Sequence, residues 1–472
     1  MISVPGLGSG LDVNSIVSQL ISVEGDTKTL LLANQQSGIE AEITAFGSIK
    51  SILSTLQNST GTLKSPATFT ATTAASSDST RFTATTSGNV SPGIFDIEIR
   101  ELAEAHKLLS PGYVDSDTVI GEGSLTISVG ADSFVVTVDS SNSTVSGIRD
   151  AINDASDNTG VTATIINVDD GTGGTESKLV LTSDSTGAEN AITVVVSDSD
   201  GNHTDSSGLS ALYYDTGDVT TPEQLSQINP AADAEIYIDS QRVYSDSNTV
   251  VNAIQGVTLN LLAEDAGTNH TLTISTDKDS IKSSIELFVS NYNSFVSLTN
   301  NMTAFEAEAG EAGVFLGDAT VRTLRQQLRS EVAGVVEDIS GSYSMLLDLG
   351  ITTESDGTLK LNPTTLDNAL DGNLDDVAEL FSSSNGIAIK LDGVLNEYVK
   401  SGGIIDLKTE GLNTTIDGIE AEFEQLQLSL DALEERLLAQ FAALDILVNE
   451  LNSTASFLEQ QFQSLAGINK PK

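Results

Sequence analysis

Apolar residues recur near the end of the chain at Leu412, Ile416, Ile419, Phe423, Leu426, Leu430, Leu433, Leu437, Phe441, Leu444, Val448, Leu451, Ala455, Leu458, Phe462 and Leu465. The steps alternate four and three, which keeps one narrow stripe of a helix facing a partner helix. A double step of four at Leu433, Leu437 and Phe441 breaks the alternation and locally unwinds any supercoil. At 1.5 Å per residue such a helix is roughly 80 Å long. A rod of that length cannot be covered by a small globule, so it needs other helices, from this chain or from neighbours.

Such helices exist earlier in the chain. Asp12 is placed to cap a helix whose apolar face is Val13, Ile16, Val17 and Leu20. Gly25 is expected to end or kink it. A second stripe runs through Ile39, Ile43, Phe46, Ile49, Leu53, Leu56 and Leu63, and a third through Ile281, Ile285, Phe288, Tyr292, Phe295, Thr299 and Met302. A fourth helix carries Val321, Leu324, Leu328, Val332 and Val335, and Pro363 is placed to open a shorter one. Between the second and third stripes the period changes from helical to two. Phe95, Ile97 and Ile99 alternate with charged residues, and two apolar runs flank Gly130-Ala131-Asp132 as a hairpin. Residues 198–221 are polar and acidic and read as loop, and Asp356-Gly357 reads as a type I′ hairpin turn.

The expected fold class is therefore α+β and multidomain: a helical coiled-coil or bundle stem built from both chain ends, with β-rich domains inserted between them. The expected divisions are a flexible N-terminal helical segment (1–40), a helical leg (41–75 plus 278–436), a β-rich head domain (76–106 plus 232–277), a second β-rich domain inserted in the first (107–231) and a C-terminal helical foot (437–472). The intramolecular stripe is assigned to Ile43, Phe46, Leu53, Ile285, Phe288, Tyr292, Phe295, Ile416, Ile419, Phe423, Leu426 and Leu430.

Composition narrows the functions. With 67 acidic residues against 21 Lys plus Arg, the net charge is −46, which argues against a nucleic-acid partner and against an anionic membrane. There are no cysteines, so disulfides, thiolate metal sites and cysteine catalysis are excluded together. No apolar run is long enough to insert in a bilayer, and the first ten residues do not read as a cleaved secretory signal. The three histidines, His106, His203 and His270, are far apart in polar settings and read as surface residues. Residues 198–202 (DSDGN) carry calcium-loop ligands at the first, third and fifth places, but the glycine is displaced and Leu209 stands where the loop needs Glu. Residues 6–10 (GLGSG) follow no strand and do not match a dinucleotide loop. No enzyme, cofactor or metal is expected. Between 437 and 469 there is no Lys or Arg, and the positions outside the stripe are mainly Gln, Asn, Ser and Ala. That surface suits a helix docking into an assembly better than a solvated coiled coil.

The two ends carry a family resemblance. Residues 6–17 (GLGSGLDVNSIV) and 452–458 (NSTASFL) resemble the ends of the bacterial flagellar filament cap family, hook-associated protein 2. Residues 101–107 (ELAEAHK), 147–153 (GIRDAIN), 160–165 (GVTATI), 356–361 (DGTLKL) and 377–381 (VAELF) follow in the family's order. Gly25-Asp26 departs from it, in a stretch the family keeps helical.

The resemblance implies a secreted structural protein at the distal tip of the flagellar filament. It implies a ring of copies, a pentamer, that retains exported flagellin and promotes its folding and polymerisation. Implied partners are the chain itself, flagellin, the flagellar type III export apparatus and a cognate export chaperone. Assembly contacts are then expected from Leu7, Leu11, Val13, Ile16, Val17 and Leu20 at one end, and from Leu444, Val448, Leu451, Phe457, Leu458 and Phe462 at the other. Both ends are expected to be loose in the monomer and ordered on assembly. The alternatives are another axial protein, flagellin or hook-filament junction type, and a glycan-binding adhesin.

Overall fold

A computed structural model describes residues 12–468 apart from 89, 204 and 307–310. Its helices are α1 (Val13–Lys64), α2 (Pro66–Phe69), α3 (Val145–Asn153), α4 (Lys278–Thr303), α5 (Ala319–Ala333), α6 (Pro363–Gly372), α7 (Leu374–Ser382), α8 (Ile387–Val399) and α9 (Ile404–Ile468). The chain forms two compact units, Met1–Thr68 with Asp279–Lys472, and Phe69–Lys278. The class is α+β, with helices from both chain ends and β-sheets inserted between them.

The first unit is helical. Asp12 opens α1 by accepting from the Ser15 amide at 3.1 Å, which satisfies one of the free donors of the first turn. At the other end, Pro66 disfavours helical backbone at Ser65, which is extended, and α1 stops there. Inside α1, Phe46, Ile49, Leu53, Leu56 and Leu63 are buried. The Phe46 ring lies 4.4 Å from that of Phe315, centroid to centroid. α1 runs along α8 and α9, with Lys50 paired to Asp406 and Lys64 to Asp392.

Gly25 does not break α1, which is one helix of 52 residues. The expectation of a stop is corrected by what lies opposite: a Cβ on Gly25 would stand 2.7 Å from Leu430 Cδ1. The glycine sets how closely α1 and α9 approach, and the helix accepts its cost of about 1 kcal/mol. Replacing Gly25 by Leu should destabilise the helix pair by about 1–3 kcal/mol through overpacking. Adding Leu430→Ala should recover most of that loss. Thermal unfolding followed by far-ultraviolet circular dichroism reads both, and a single variant as stable as wild type would refute the close approach.

The third stripe is also placed differently from the expectation of one continuous seam. Ile285, Phe288, Tyr292 and Phe295 are buried, but the extended partners of α9 are α1 and α8, not α4. Instead, α4 holds the hairpin Ile351–Thr353 and Leu359–Leu361. The Asn293 side chain donates to the Leu359 carbonyl at 2.8 Å and accepts from its amide at 2.6 Å. Thr353 opposite Leu359 leaves a five-residue loop, with positive φ at Gly357 and not at Asp356. This is not the type I′ turn expected there, which needs positive φ at both residues.

The second unit has two cores. In the first, a five-stranded antiparallel sheet runs in the order Thr72–Ser76, His270–Thr276, Gly93–Glu101, Ala234–Ile238, Gln241–Ser245. A three-stranded sheet of Thr249–Val251, Val257–Leu261 and Phe82–Thr86 contributes to the same core, in which Phe82, Ile97, Ile236, Leu259 and Leu272 are buried. The second core lies within the chain interval between Gly93–Glu101 and Ala234–Ile238. It contains Gly123–Val129 between Asp132–Val138 and Ile192–Asp198, a four-stranded sheet, and α3. Alternation explains both: inward Leu125, Ile127 and Val129 face inward Phe134, Val136 and Val138 across a two-residue turn at Gly130-Ala131.

Two readings are corrected here. Residues 198–221 are not only loop, because the 3₁₀ turn Gly208–Leu212 buries Leu209, Ala211 and Leu212, with Tyr213 and Tyr214 buried behind it. Nor are the histidines all on the surface, since His106 and His270 are buried. His106 shares the inward face of Ala105–Leu109 with Leu108. Its Nδ1 accepts from the Ile192 amide at 2.8 Å, and Gln227 Nε2 is 3.2 Å from its Nε2. Its ring lies 5.6 Å from that of Tyr214. Burial pushes its pKa below the ordinary 6.5, so the folded imidazole stays neutral where the unfolded one takes up a proton. The stabilisation is complete above about pH 6.5 and is lost as pH falls toward the depressed value. The Ile192 amide should therefore lose hydrogen-exchange protection between pH 7.5 and 5, and His106→Asn should blunt that pH dependence. An unchanged dependence in the variant would refute the assignment.

Candidate assembly surface

The pairing of α1 with α9 decides which part of α9 is left uncovered. Lys50 stands by Asp406 and Gly25 by Leu430, so the helices run antiparallel in a steady register. Continued to its end, that register sets Val13 opposite the turn at Phe441 and Ala442. Val13 and Val17 are buried there, Ile16 is half-buried, and Leu20 is exposed. On the α9 side, Ile419 is buried, and Ile416, Phe423, Leu426, Leu430, Phe441 and Val448 are half-buried. From Leu451 to residue 463 every described residue is exposed. No described element covers the last turns of α9.

These turns remain apolar on one side. Leu444, Leu447, Leu451, Leu458 and Phe462 follow one another by three, four, seven and four residues. Leu451 and Phe462 are 60% and 68% exposed, and Phe457 stands off the stripe at 58%. Fully burying one such side chain contributes about 1.5–3 kcal/mol, so the uncovered stripe holds a large unused driving force. The helix is weakly charged here, with Asp445, Glu450 and Glu459 but no cation before residue 470.

The assembly residues expected from sequence thus fall into three groups. Leu444, Val448, Leu451, Phe457, Leu458 and Phe462 lie together on the uncovered end of α9, with Val448 the most covered. Leu20 is exposed on α1, whereas Val13 and Val17 are spent inside the helix pair. They are available to another molecule only if that pair opens. Leu7 and Leu11 lie outside the described residues. Ile446 and Leu447 are also exposed and apolar and lie outside the four-three stripe read from the sequence. Of the stripe assigned to the stem, Phe46 and Leu53 are buried and Ile43 is half-buried.

Among the described residues, no group of three or more His, Asp or Glu is arranged to hold a metal ion. The Asp198 carboxylate is occupied by its own loop, accepting from the Asp200 amide at 3.2 Å and the Ser210 amide at 3.1 Å. No described helix is long and apolar enough to cross a membrane.

Comparison with known proteins agrees along the whole chain. The family described as flagellar hook-associated protein 2 N-terminus matches residues 9–106, and its C-terminus counterpart matches 231–453. A flagellin hook IN motif matches 124–185. The chain is 34% identical to the A-type flagellar hook-associated protein 2 of Pseudomonas aeruginosa, over 99% of this chain and 98% of that one. It is 35% identical to flagellar hook-associated protein 2 of Escherichia coli strain K12, over 98% of each. Among solved structures, the D1-D2-D3 domains of the flagellar cap protein FliD from Escherichia coli superpose with a TM-score of 0.64 at 33% identity. They cover 78% of this chain and 99% of that one.

Proposed function

Because the chain belongs to the flagellar hook-associated protein 2 family, we propose that it caps the distal end of the flagellar filament, retains exported flagellin there and promotes its folding and polymerisation. It is a structural protein of the flagellum and not an enzyme, and it works as an oligomer at the filament tip. The finer reading is a ring of five copies, secreted through the flagellar type III export apparatus with the help of a cognate chaperone.

The observation that carries the tip-docking part is the uncovered apolar end of α9. An apolar, weakly charged helix can lie along the filament end without bringing most of the chain's negative charge into the contact. The contact area is a narrow stripe on a helix that is marginal alone in water. Such a contact dissociates faster than a broad apolar interface, so each leg can release and re-engage as a subunit is added. Leu20 and the first residues of the chain add to this contact when α1 and α9 part.

The test is genetic. A strain lacking this chain should shed flagellin monomers into the medium, and a fluorescent fusion should restore filaments while marking a single spot at each distal end. Label along the filament or at its base would overturn the reading in favour of another axial role.

A further inference from the structure

One face of α5 gathers cations that carboxylates do not neutralise. Arg322, Arg325 and Arg329 are three and four residues apart on that helix, so they share one side. They rim a cleft of about 490 Å³ within the helical unit, floored by Tyr292, Phe295 and Phe315. Arg325 donates to Thr303 Oγ1 at 3.1 Å and to Asn300 Oδ1, both uncharged acceptors. Among the described residues, no carboxylate lies within ion-pair distance of Arg322 or Arg329. Two carboxylates line the cleft but are engaged elsewhere. Asp318 accepts from the Val321 amide at 2.9 Å and faces Lys408 at 3.5 Å. Asp356 accepts from the Thr358 amide at 2.9 Å and from its hydroxyl at 2.6 Å.

Five other described cations also lack a carboxylate within ion-pair distance, but Lys107, Arg242, Lys360, Lys390 and Arg436 stand singly on separate elements. Lys50, Lys64, Arg81, Lys178 and Lys282 each sit against a carboxylate of the same unit. In a molecule of net charge −46, three guanidinium groups on one helix face, none ion-paired to a carboxylate among the described residues, form a receptor for an acidic, apolar-tipped segment. Arginine is suited to it, since its planar fork grips a carboxylate through two hydrogen bonds while stacking on aromatic faces.

We propose that this cleft receives such a segment from a second copy of the chain, as one contact of the assembled ring. This rests on the oligomeric reading above. Charge decides the occupant: another copy, itself at −46, is repelled by most of this surface and attracted here. A second copy also presents the complement. Val219 is 93% exposed between Asp218 and Glu223, and Val114 is 82% exposed beside Asp115 and Asp117. In either case the exposed aliphatic tip can enter the mouth of the cleft while the neighbouring Glu223 or Asp117, both exposed, meets the arginines.

The experiment compares two pairs of charge reversals in the full chain by mass photometry across a concentration series. Arg322→Glu with Arg329→Glu removes the receptor. Lys360→Glu with Lys400→Glu adds the same negative charge on exposed residues outside the cleft. The cleft pair should weaken self-association by about tenfold or more beyond the control pair. Equal weakening by both pairs would show a net-charge effect alone and overturn the proposal, as would no weakening by either. A wild-type chain that stays monomeric at every concentration would instead overturn the ring reading itself. The absence of native cysteines permits a second measurement. Gln326, which lines the cleft, is replaced by Cys and carries a photo-crosslinker. Mass spectrometry should recover an acidic segment of another copy, and capture only of flagellin, when it is added, would overturn the choice of occupant.

Discussion

A chain ending after Val448 should fold as the full chain does and fail to anchor at the filament tip. The residues removed are exposed wherever they are described, so the melting of both units should move by no more than roughly 2 °C, less than a loss of 1 kcal/mol commonly produces. Docking loses Leu451, Phe457, Leu458 and Phe462 together. At about 1.5–3 kcal/mol for each fully buried side chain, the four carry a gross sum of about 6–12 kcal/mol, above the roughly 4 kcal/mol that separates a thousandfold change in affinity. Flagellin in the culture supernatant and the fraction of filaments with a labelled tip measure the effect. Normal filament growth from the shortened chain would sink the docking role of α9. The helix pair is kept in this design, since α1 finds its last partners near Phe441 and Ala442.

The second large effect is on stability and should be confined to one unit. Phe46→Ala should cost about 3–5 kcal/mol, the range for removing a buried aromatic ring. Phe46 is 1% exposed and tilts against Phe315, and both lie in the helical unit. Calorimetry of the full chain should show the transition of the helical unit moving down while that of the β-rich unit stays. A shift of both together would mean that the two units unfold as one, contrary to their separate cores.

What could be read from the residues alone follows from how local each signal is. Alternation of period two gave the hairpin around Gly130 because each strand's inward face is written in its own residues. The stripes of α1, α4 and α9 were legible for the same reason, as was the end of α9 as a weakly charged surface. The partner of each stripe was not legible. Ile285 to Phe295 shows the same repeat as Ile416 to Leu430, and nothing in the repeat says that α4 turns to the Leu359 hairpin. Gly25 was misread because helix propensity argues for a break, while its cause lies on α9, at Leu430. His106 was discounted for its polar neighbours, although Leu108 two residues on marked the inward face of that strand. The arginines of α5 show their common face in sequence, but Phe315 and Tyr292 beneath them come from two other segments.

The antiparallel register of α1 and α9 has a mechanical consequence. Val13 and the neighbourhood of Phe441 leave the pair at the same end, so tension applied between them loads one layer of contacts at a time. The pair then opens like a zipper at low force, from Val13 toward Lys50. Tension between Val13 and Ile404 would load all the layers at once, in shear, and meet far greater resistance. One helix pair is therefore soft to a pull from the end where its apolar tip is exposed and stiff to a pull along its length.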